Sequence, residues 1–290
     1  MKDYKDNNEL LDILNSKGVT FRNKKKALQK IEKYTYYSII NTYKEVFKNQ
    51  GNYLNGTTFE EIYALFEFDK NLKIIFLKYV LEIEMVIKSL ISNMISEKYG
   101  IKNYLNRACF DSKADTKLIQ KMINSLEEEI NDNYGKHSAI THYKDSYGFI
   151  PPFVLVKVMT MGQISRYYGL LKQSDRQEIS KYYNISDKLL KQILLNITLV
   201  RNFSAHNNRL YTIHSKFLIS FKKIDITYTN IGNSTNLYMI MKSMETLLEE
   251  KDRKKFIKSI NSEINKLSKK LKVIGIEKIL KIMGFPMNNK

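Results

Sequence analysis

The chain has 290 residues, of which 43% are hydrophobic and 12% aromatic, and its formal net charge is +18. These values indicate a folded protein that can bury a core, and they argue against a disordered chain. A lone cysteine, Cys109, excludes an internal disulfide, and neither an apolar leader nor a run of about 18 apolar residues is present, so we expect a cytoplasmic protein with no membrane partner.

The positive charge is concentrated in two parts of the sequence. Residues 251–290 contain 12 Lys or Arg against 3 Asp or Glu, and residues 17–48 contain 9 against 2. Such clustering favours a polyanionic partner, because each phosphate that a protein neutralises releases a counterion. The alternative is a solvated, lysine-rich surface that reflects biased composition. The candidate phosphate-binding residues are Lys24, Lys25, Lys26, Arg209, Lys254, Lys255, Lys269 and Lys270.

The N-terminal part of the chain contains a flexible segment and a predicted helix. Residues 1–16 are polar and slightly acidic, so we expect them to be loosely held, with residues 17–290 forming one helical domain. Residues 23–47 have an apolar repeat typical of a single helix. Lysines followed by tyrosines can bind phosphates and stack on unpaired bases, although the tyrosines fit a hydrophobic core equally well. These tyrosines are Tyr34, Tyr36 and Tyr37.

A longer helix is predicted to begin after Thr58 and to reach about Tyr99. Thr58 and Glu61 have the spacing of a capping box, and apolar residues recur at helical steps beyond them. Asp69 interrupts the apolar run, which indicates a junction between two helices. After a loop, another helix is predicted over residues 114–134.

The next segment contains His137 and His142, and we interpret it as a polar loop that ends at Pro151. Two histidines at this spacing, with no cysteine nearby, are poor zinc ligands, so we expect no metal and no other cofactor. Pro152 is suited to the first position of the following helix.

Shorter elements are predicted in the remaining sequence. Residues 174–177 have the spacing of a second capping box, which predicts a helix that ends near Tyr183. The run from Phe217 to Tyr228 alternates in part, which favours a small β-hairpin or an extended arm. The last predicted helices run from Ser234 to about Glu250, from Asp252 to about Leu271, and from Ile276 to Met283.

The stretch Leu189–Tyr211 is the central helix of the predicted fold. Its apolar residues recur every three or four positions and form one stripe that can be buried. Ser186 and Asp187 suit its start, and the pair at 207–208 suits its end.

Arg201, Asn202 and His206 lie in the last turns of this helix. Asn202 and His206 are four residues apart and share a face, and the long side chain of Arg201 can reach back towards them. RNA cleavage without a metal needs a base for the 2′-hydroxyl proton and positive charge for the phosphate, which an imidazole and a guanidinium supply. Asn202 would position the phosphate or fix the imidazole. The alternative is a helix-capping histidine beside a surface arginine.

Residues 201–210 resemble the Arg-Asn-x-x-Ala-His-x-x-Arg-Leu signature of the Abi-like (AbiD/AbiF) abortive-infection family, which are bacterial phage-defence proteins with a HEPN domain. Residues 65–73, 161–168 and 283–286 resemble three further elements of that family, in the same order along the chain. The sequence departs from the family pattern at Phe66, Lys88 and Met161.

The resemblance implies an all-α fold, namely a HEPN-like helical bundle with appended N- and C-terminal helices and a basic extension over residues 213–290. It implies a homodimer in which Arg201 and His206 of two copies meet at one cleft. It also suggests that Glu84 pairs with Arg201, although Glu84 equally fits an ordinary surface carboxylate.

Three functions are compatible with these features. The first is a metal-independent endoribonuclease that damages RNA during phage defence. The second is a protein that binds a structured small non-coding RNA without cleaving it. The third, a DNA-binding regulator, ranks last because no helix-turn-helix pattern is evident. The intact trio favours cleavage, whereas the extent of the basic sequence favours stable RNA binding.

Overall fold

The computed structural model describes residues 4–206, 208–220 and 234–286. Twelve α-helices carry the fold of these residues, so the expected all-α helical bundle is confirmed. The helices are α1 (Asn7–Ser16), α2 (Lys24–Tyr34), α3 (Phe59–Tyr99), α4 (Thr116–Asn133), α5 (Ser138–Tyr147), α6 (Pro152–Val158), α7 (Met161–Leu170), α8 (Gln173–Lys181), α9 (Asp187–Ala205), α10 (Leu237–Glu245), α11 (Glu250–Ser268) and α12 (Ile276–Met283).

The strands among the described residues form two short antiparallel pairs. They are β1 (Lys48–Asn49) with β2 (Asn52–Tyr53), and β3 (His214–Ser215) with β4 (Thr235–Asn236). Most of the predicted hairpin or arm from Phe217 to Tyr228 lies outside the described residues, and β3 and β4 pair on either side of it.

Helix α3 is the axis around which the other helices pack. Thr58 caps its first turn by accepting a hydrogen bond from the Glu61 N–H, and Gly100, with a φ of 75°, ends it. The 41 residues between them bury side chains on several sides, because α6, α9 and α11 all pack along the helix. The helix continues through Asp69, so the predicted junction between two helices is wrong.

The C-terminal part of the chain is tied to the start of α3. Glu61 is buried, and its carboxylate accepts hydrogen bonds from the backbone N–H groups of Lys272 and Val273, the latter at 2.8 Å. Further along α3, the Asn71 amide donates to Glu263 of α11 at 2.8 Å. The C-terminal part of the chain is therefore bound to α3 at two levels.

The segment predicted as one helix over residues 23–47 is divided into several turns. Helix α2 ends at Tyr34 because Thr35 has a φ of 64°, outside the helical region. A π-helical turn at Tyr37–Asn41, here called the π-turn, follows it. The π-turn buries two successive isoleucines, Ile39 and Ile40.

Residues 6–16 are held in place by capping and packing, which corrects the expectation of a loosely held segment for that part of residues 1–16. Asp6 caps α1 and forms a capping box with Glu9. Leu11 and Leu14 on the same helix are fully buried. The polar composition of the segment hid these two core positions.

Two further predictions are wrong at the level of local structure. The polar segment after His137 is the helix α5, not a loop, and His137 precedes its first residue. The second capping box is absent, because α8 begins at Gln173, ahead of Ser174, with no side-chain cap. Asp175 of that helix points into the protein and is fully buried.

Other boundaries agree closely with the sequence. Helix α6 begins at Pro152 and α12 spans Ile276–Met283, as predicted. Helix α10 has Asn236 as its cap where Ser234 was expected, and it ends at Glu245 instead of near Glu250, where α11 begins. Within the described parts of the chain, no helix is both long enough and apolar enough to cross a membrane.

Candidate functional site

The site is built on the C-terminal end of α9. Ser186 caps the start of this helix by accepting a hydrogen bond from the Leu189 N–H at 3.2 Å. One face of the helix is fully buried, which confirms the predicted apolar stripe. The stripe consists of Leu190, Ile193, Leu194, Ile197 and Val200.

His206 is the residue that terminates α9. Its backbone N–H donates to the Asn202 carbonyl at 3.0 Å, and the N–H of Asn208 donates to the Phe203 carbonyl at 3.0 Å. Both of these bonds are made by main-chain atoms. His206 is exposed at the helix end. The chain then returns to the core, where Tyr211 is buried.

A buried carboxylate on α3 fixes the segment that follows His206. Asp69 accepts hydrogen bonds from the Tyr211 N–H at 2.8 Å and from the Tyr43 hydroxyl at 2.7 Å, and the Lys73 ammonium lies 3.3 Å away. Burial raises the pKa of the Asp69 carboxyl, while Lys73 and the two hydrogen bonds oppose that rise. Asp69 of α3 is therefore bonded both to Tyr43, which follows the π-turn, and to Tyr211, which follows α9.

His206 lines a cleft of about 390 Å³ between the π-turn, α3 and the end of α9. Arg209 lies in the same cleft, and its guanidinium donates to the Thr42 carbonyl at 3.0 Å. An imidazole and a guanidinium therefore share one polar cleft, which we call the His206 cleft. Its other lining residues are Tyr37, Ser38, Asn41, Thr42, Tyr43, Phe66 and Asn208.

Cations and aromatic rings adjoin the His206 cleft. The Lys70 ammonium lies 5.2 Å from the ring centre of Tyr34 and 5.9 Å from that of Phe66. Hydrogen bonding to Lys33, together with the charge of Lys70, lowers the pKa of the Tyr34 hydroxyl. Tyr37 is 72% exposed at the edge of the cleft, so its ring is available for stacking.

Arg201 occupies a different position from the one expected. It is half-buried, it does not line the His206 cleft, and it forms no ion pair with any residue that the structure describes. The reason is geometric, because five residues along a helix correspond to a rotation of about 140° away from the starting face. Asn202 is exposed and contacts His206 through its backbone carbonyl. Within one chain, the structure pairs His206 with Arg209 instead.

Glu84 does not form the ion pair proposed for it. Its carboxylate lies 2.7 Å from the ammonium of Lys88, one turn further along α3, and both side chains are mostly buried. A partner four residues away on the same helix satisfies Glu84 locally. The prediction that Glu84 holds Arg201 is therefore replaced by this pair.

The basic residues predicted near the N-terminus lie on the exposed side of α2. Lys24 forms an ion pair with Asp12 at 2.5 Å, which places α1 against α2. Lys25 and Lys26 are exposed, and neither has a carboxylate partner in the described part of the chain. Two of the three lysines are thus available to bind phosphate.

Two of the four predicted C-terminal lysines, Lys254 and Lys269, lie on an open, shallow surface of α11, which we call the α11 groove. Lys254 lines it while pairing with Glu250 at 2.5 Å, and Lys269 lines it without an ion pair to a described residue. Lys255 and Lys270 are not among its lining residues and pair with Asp252 and Glu67. The groove also contains Lys258 and Lys266, which the sequence reasoning missed.

Lys258, which was not predicted, and the buried Asp69 both had a signal in the sequence. Lys254, Lys258 and Lys269 follow helical spacing, so one face of α11 could have been identified. Asp69 is a carboxylate within an apolar run, which is typical of a buried, hydrogen-bonded group. Lys70 had only a partial signal, because Phe66 lies four residues before it on the same helix whereas Tyr34 belongs to α2.

In the described ranges, no group of three or more His, Cys, Asp or Glu side chains could hold a metal ion. The imidazole of the His206 cleft can transfer protons, and the guanidinium of Arg209 can hold a phosphate.

Comparison with known proteins gives one match. A family model described as "Abi-like protein" matches residues 29–212, which cover well over half of the chain and include α3, α9 and the His206 cleft. No curated protein and no solved structure matched the sequence. The chain therefore belongs to the Abi-like family, whose name refers to abortive infection in phage defence.

Proposed function

We propose that the chain is a metal-independent endoribonuclease of the HEPN type that acts in bacterial phage defence, with His206 as its proton-transfer residue. The observation that carries this proposal is the exposed imidazole at the end of α9, in a cleft that it shares with the guanidinium of Arg209. The hydrogen bond from Arg209 to Thr42 orients that guanidinium. The pairing provides both a base and a phosphate-binding cation.

In the proposed reaction, His206 takes the proton of a ribose 2′-hydroxyl, and the 2′-oxygen attacks the adjacent phosphorus. The bond between phosphorus and the 5′-oxygen then breaks, and that oxygen takes up a proton. The products are a 2′,3′-cyclic phosphate and a 5′-hydroxyl end. Arg209 stabilises the negative charge that develops on the phosphate oxygens.

A second copy of the chain would complete this site. Among the described lining residues, His206 supplies the one imidazole of the cleft, and Arg201 lies outside it. A two-fold dimer would bring Arg201 of the second copy to the phosphate on which His206 of the first copy acts. The separation of Arg201 from His206 within one chain is the observation that favours the homodimer.

RNA would bind in this proposal through single-stranded segments. The exposed ring of Tyr37 can stack an unpaired base beside His206, and Lys70 adds positive charge near the same cleft. The lysines of the α11 groove would hold the phosphates of a longer RNA.

A second candidate function is a protein that binds a structured small non-coding RNA without cleaving it. This function is favoured by the extent of the basic surface, because Lys25 and Lys26 on α2 and the α11 groove lie outside the His206 cleft. The two functions are compatible if a bound small RNA restrains the nuclease.

The deciding experiment is an RNA cleavage assay in excess EDTA with the full chain. We expect the wild-type protein to give 2′,3′-cyclic phosphate ends, and His206→Ala to abolish cleavage and cellular toxicity while RNA affinity is retained. His142→Ala, which changes an exposed histidine on α5, is the matched control and should cleave normally. Unchanged cleavage by His206→Ala would overturn the proposal. Tight binding of a discrete small RNA without cleavage by the wild type would establish the second function.

The composite site has its own test. We expect Arg201→Ala and His206→Ala to be inactive separately, and a mixture of the two proteins to regain activity, because a mixed dimer retains one intact combination of Arg201 and His206. Absence of any recovery in verified mixed dimers would mean that both residues act from the same chain.

A further inference from the structure

A pocket of about 320 Å³ lies between α4, α7 and α9, away from the His206 cleft. Its walls are aliphatic, with Leu118 and Met122 from α4, Leu170 from α7 and Leu195 from α9. This volume lies at the lower end of the range for small-molecule sites. None of the described residues that line the His206 cleft also lines this pocket, so the two sites are separate.

Three cations surround the mouth of this pocket. Lys121, Arg166 and Lys191 all line it, all are exposed, and none has a carboxylate partner within the described ranges. The Arg166 guanidinium donates to the Gly162 carbonyl at 3.3 Å, and the Lys191 ammonium donates to the Gly169 carbonyl at 3.4 Å. Their charges are therefore held near the rim without being neutralised.

Two serines, Ser125 and Ser165, are among the residues that line the pocket. Ser165 is 3% exposed, and its buried hydroxyl has no hydrogen-bond partner among the described residues. A buried hydroxyl in a folded protein normally has such a partner. The Ser125 hydroxyl accepts a hydrogen bond from the Gln163 amide at 3.2 Å, which leaves its own proton free to be donated. The pocket thus combines aliphatic walls, two serine hydroxyls and positive charge at its mouth.

We infer that this pocket binds a free mononucleotide. The base would lie between Leu118 and Leu195, its polar edge would hydrogen-bond to Ser165 and Ser125, and its phosphate would lie among the three cations. A fatty acid satisfies the cations and the aliphatic walls but leaves the buried Ser165 hydroxyl without a partner. The two serine hydroxyls are therefore the feature that selects a heterocyclic base over an alkyl chain.

A bound nucleotide would connect three helices. Ser165 lies on α7, Ser125 on α4 and Leu195 on α9, whose far end carries His206. Because the ligand would contact all three only in the folded protein, binding should raise the thermal stability of the chain. This inference concerns binding alone and does not depend on the proposed nuclease activity.

The test is isothermal titration calorimetry of the full chain with AMP, GMP, CMP and UMP in turn. The corresponding nucleosides, inorganic phosphate and octanoate serve as comparison ligands. We expect one mononucleotide to bind with a Kd below about 1 mM at one site per chain, and at least tenfold more tightly than its nucleoside or octanoate.

Variants assign the binding to this pocket. Leu195→Phe fills it and Lys191→Gln removes a rim charge, and we expect each to weaken binding tenfold or more. Both positions are partly or fully exposed, so the fold should tolerate them, and circular dichroism verifies this. Lys136→Gln, at an exposed lysine with no ion pair to a described residue, is the matched control and should bind normally.

Three results would overturn the inference. They are the absence of mononucleotide binding, nucleotide affinity unchanged in both folded pocket variants, and octanoate binding as tight as that of the best nucleotide. Loss of RNA cleavage in His206→Ala has no bearing on these outcomes, so failure of this inference is separable from failure of the proposed nuclease.

Discussion

The carboxylate of Asp69 and the backbone N–H of Tyr211, 142 residues apart in sequence, are joined by a hydrogen bond of 2.8 Å in the interior of the protein. This bond fixes the chain five residues after His206 to the central helix α3. It thereby sets where the α9 segment ends and how Arg209 reaches the His206 cleft.

Replacing Asp69 by Ala should destabilise the protein by about 3–5 kcal/mol, because the buried ammonium of Lys73 then lacks its carboxylate partner. Tyr43→Phe, which removes only one hydrogen bond to Asp69, should cost about 1–3 kcal/mol. Urea unfolding at pH 7 measures both values. Equal stability of Asp69→Ala and the wild type would show that the hydrogen bond to Tyr211 does not hold this region.

Asp175 should contribute stability that depends on pH. Burial alone would raise the pKa of its carboxyl, but hydrogen bonds from Lys98, Tyr99 and Ser174 outweigh burial and leave that pKa below its ordinary value. Because the pKa is depressed in the folded state, the contribution of the charged Asp175 carboxylate to stability is complete above the unfolded pKa of about 4. That contribution is lost as the pH falls through the folded-state pKa.

Asp175→Asn is therefore expected to be less stable than the wild type by about 2 kcal/mol between pH 5 and 7, with the difference shrinking below about pH 4. Denaturant titrations at several pH values measure this trend. A difference that stays constant down to about pH 2 would assign the effect to packing and not to the charge of Asp175.

Tyr37→Ala should weaken binding of single-stranded RNA by about 1–3 kcal/mol, because the ring of Tyr37 is exposed beside His206 and can stack one base. The free energy of unfolding should change little for the same reason. Tyr182→Ala removes another exposed tyrosine, 58% accessible, at the end of α8 and serves as the control in the same fluorescence titration. An equal drop in affinity in the two variants would argue against stacking at the cleft.

The α11 groove should determine how RNA affinity depends on salt. Substituting Lys258 and Lys269 by Gln removes two charges that have no ion pair in the described structure. For each phosphate that is no longer neutralised, the slope of log K against log salt should decrease by about 0.7. Lys255→Gln and Lys270→Gln, whose charges are already paired with Asp252 and Glu67, should have smaller effects. A slope unchanged in the Lys258 and Lys269 variant would place the RNA elsewhere.

Helices whose apolar residues recur at regular helical spacing could be predicted from the sequence. The stripe of α9 and the bounds of α12 follow from local spacing, because each helix buries one face against the bundle. The break after Tyr34 could not be predicted in this way. It depends on the positive φ of Thr35, which is stabilised by the burial of the π-turn against distant parts of the chain.

The candidate site was only partly predictable for a related reason. His206 and Arg209 lie within one short motif, so their proximity follows from local sequence. Arg201 is five residues from His206 in the same motif, but the rotation of the helix directs it away from the cleft. The hydrogen bonds of Asp69 with Tyr43 and Tyr211 join residues 26 and 142 positions apart, and no periodic pattern reports such pairs.

The acceptance of two main-chain hydrogen bonds by Glu61 has a practical consequence for anyone who shortens this protein. A polypeptide that ends before Lys272 would leave the buried carboxylate of Glu61, near the start of α3, without these two backbone donors. The C-terminal segment thus supports the fold, so deleting it would not show what its lysines bind. Point substitutions on its outer surface are the way to separate what it binds from what it supports.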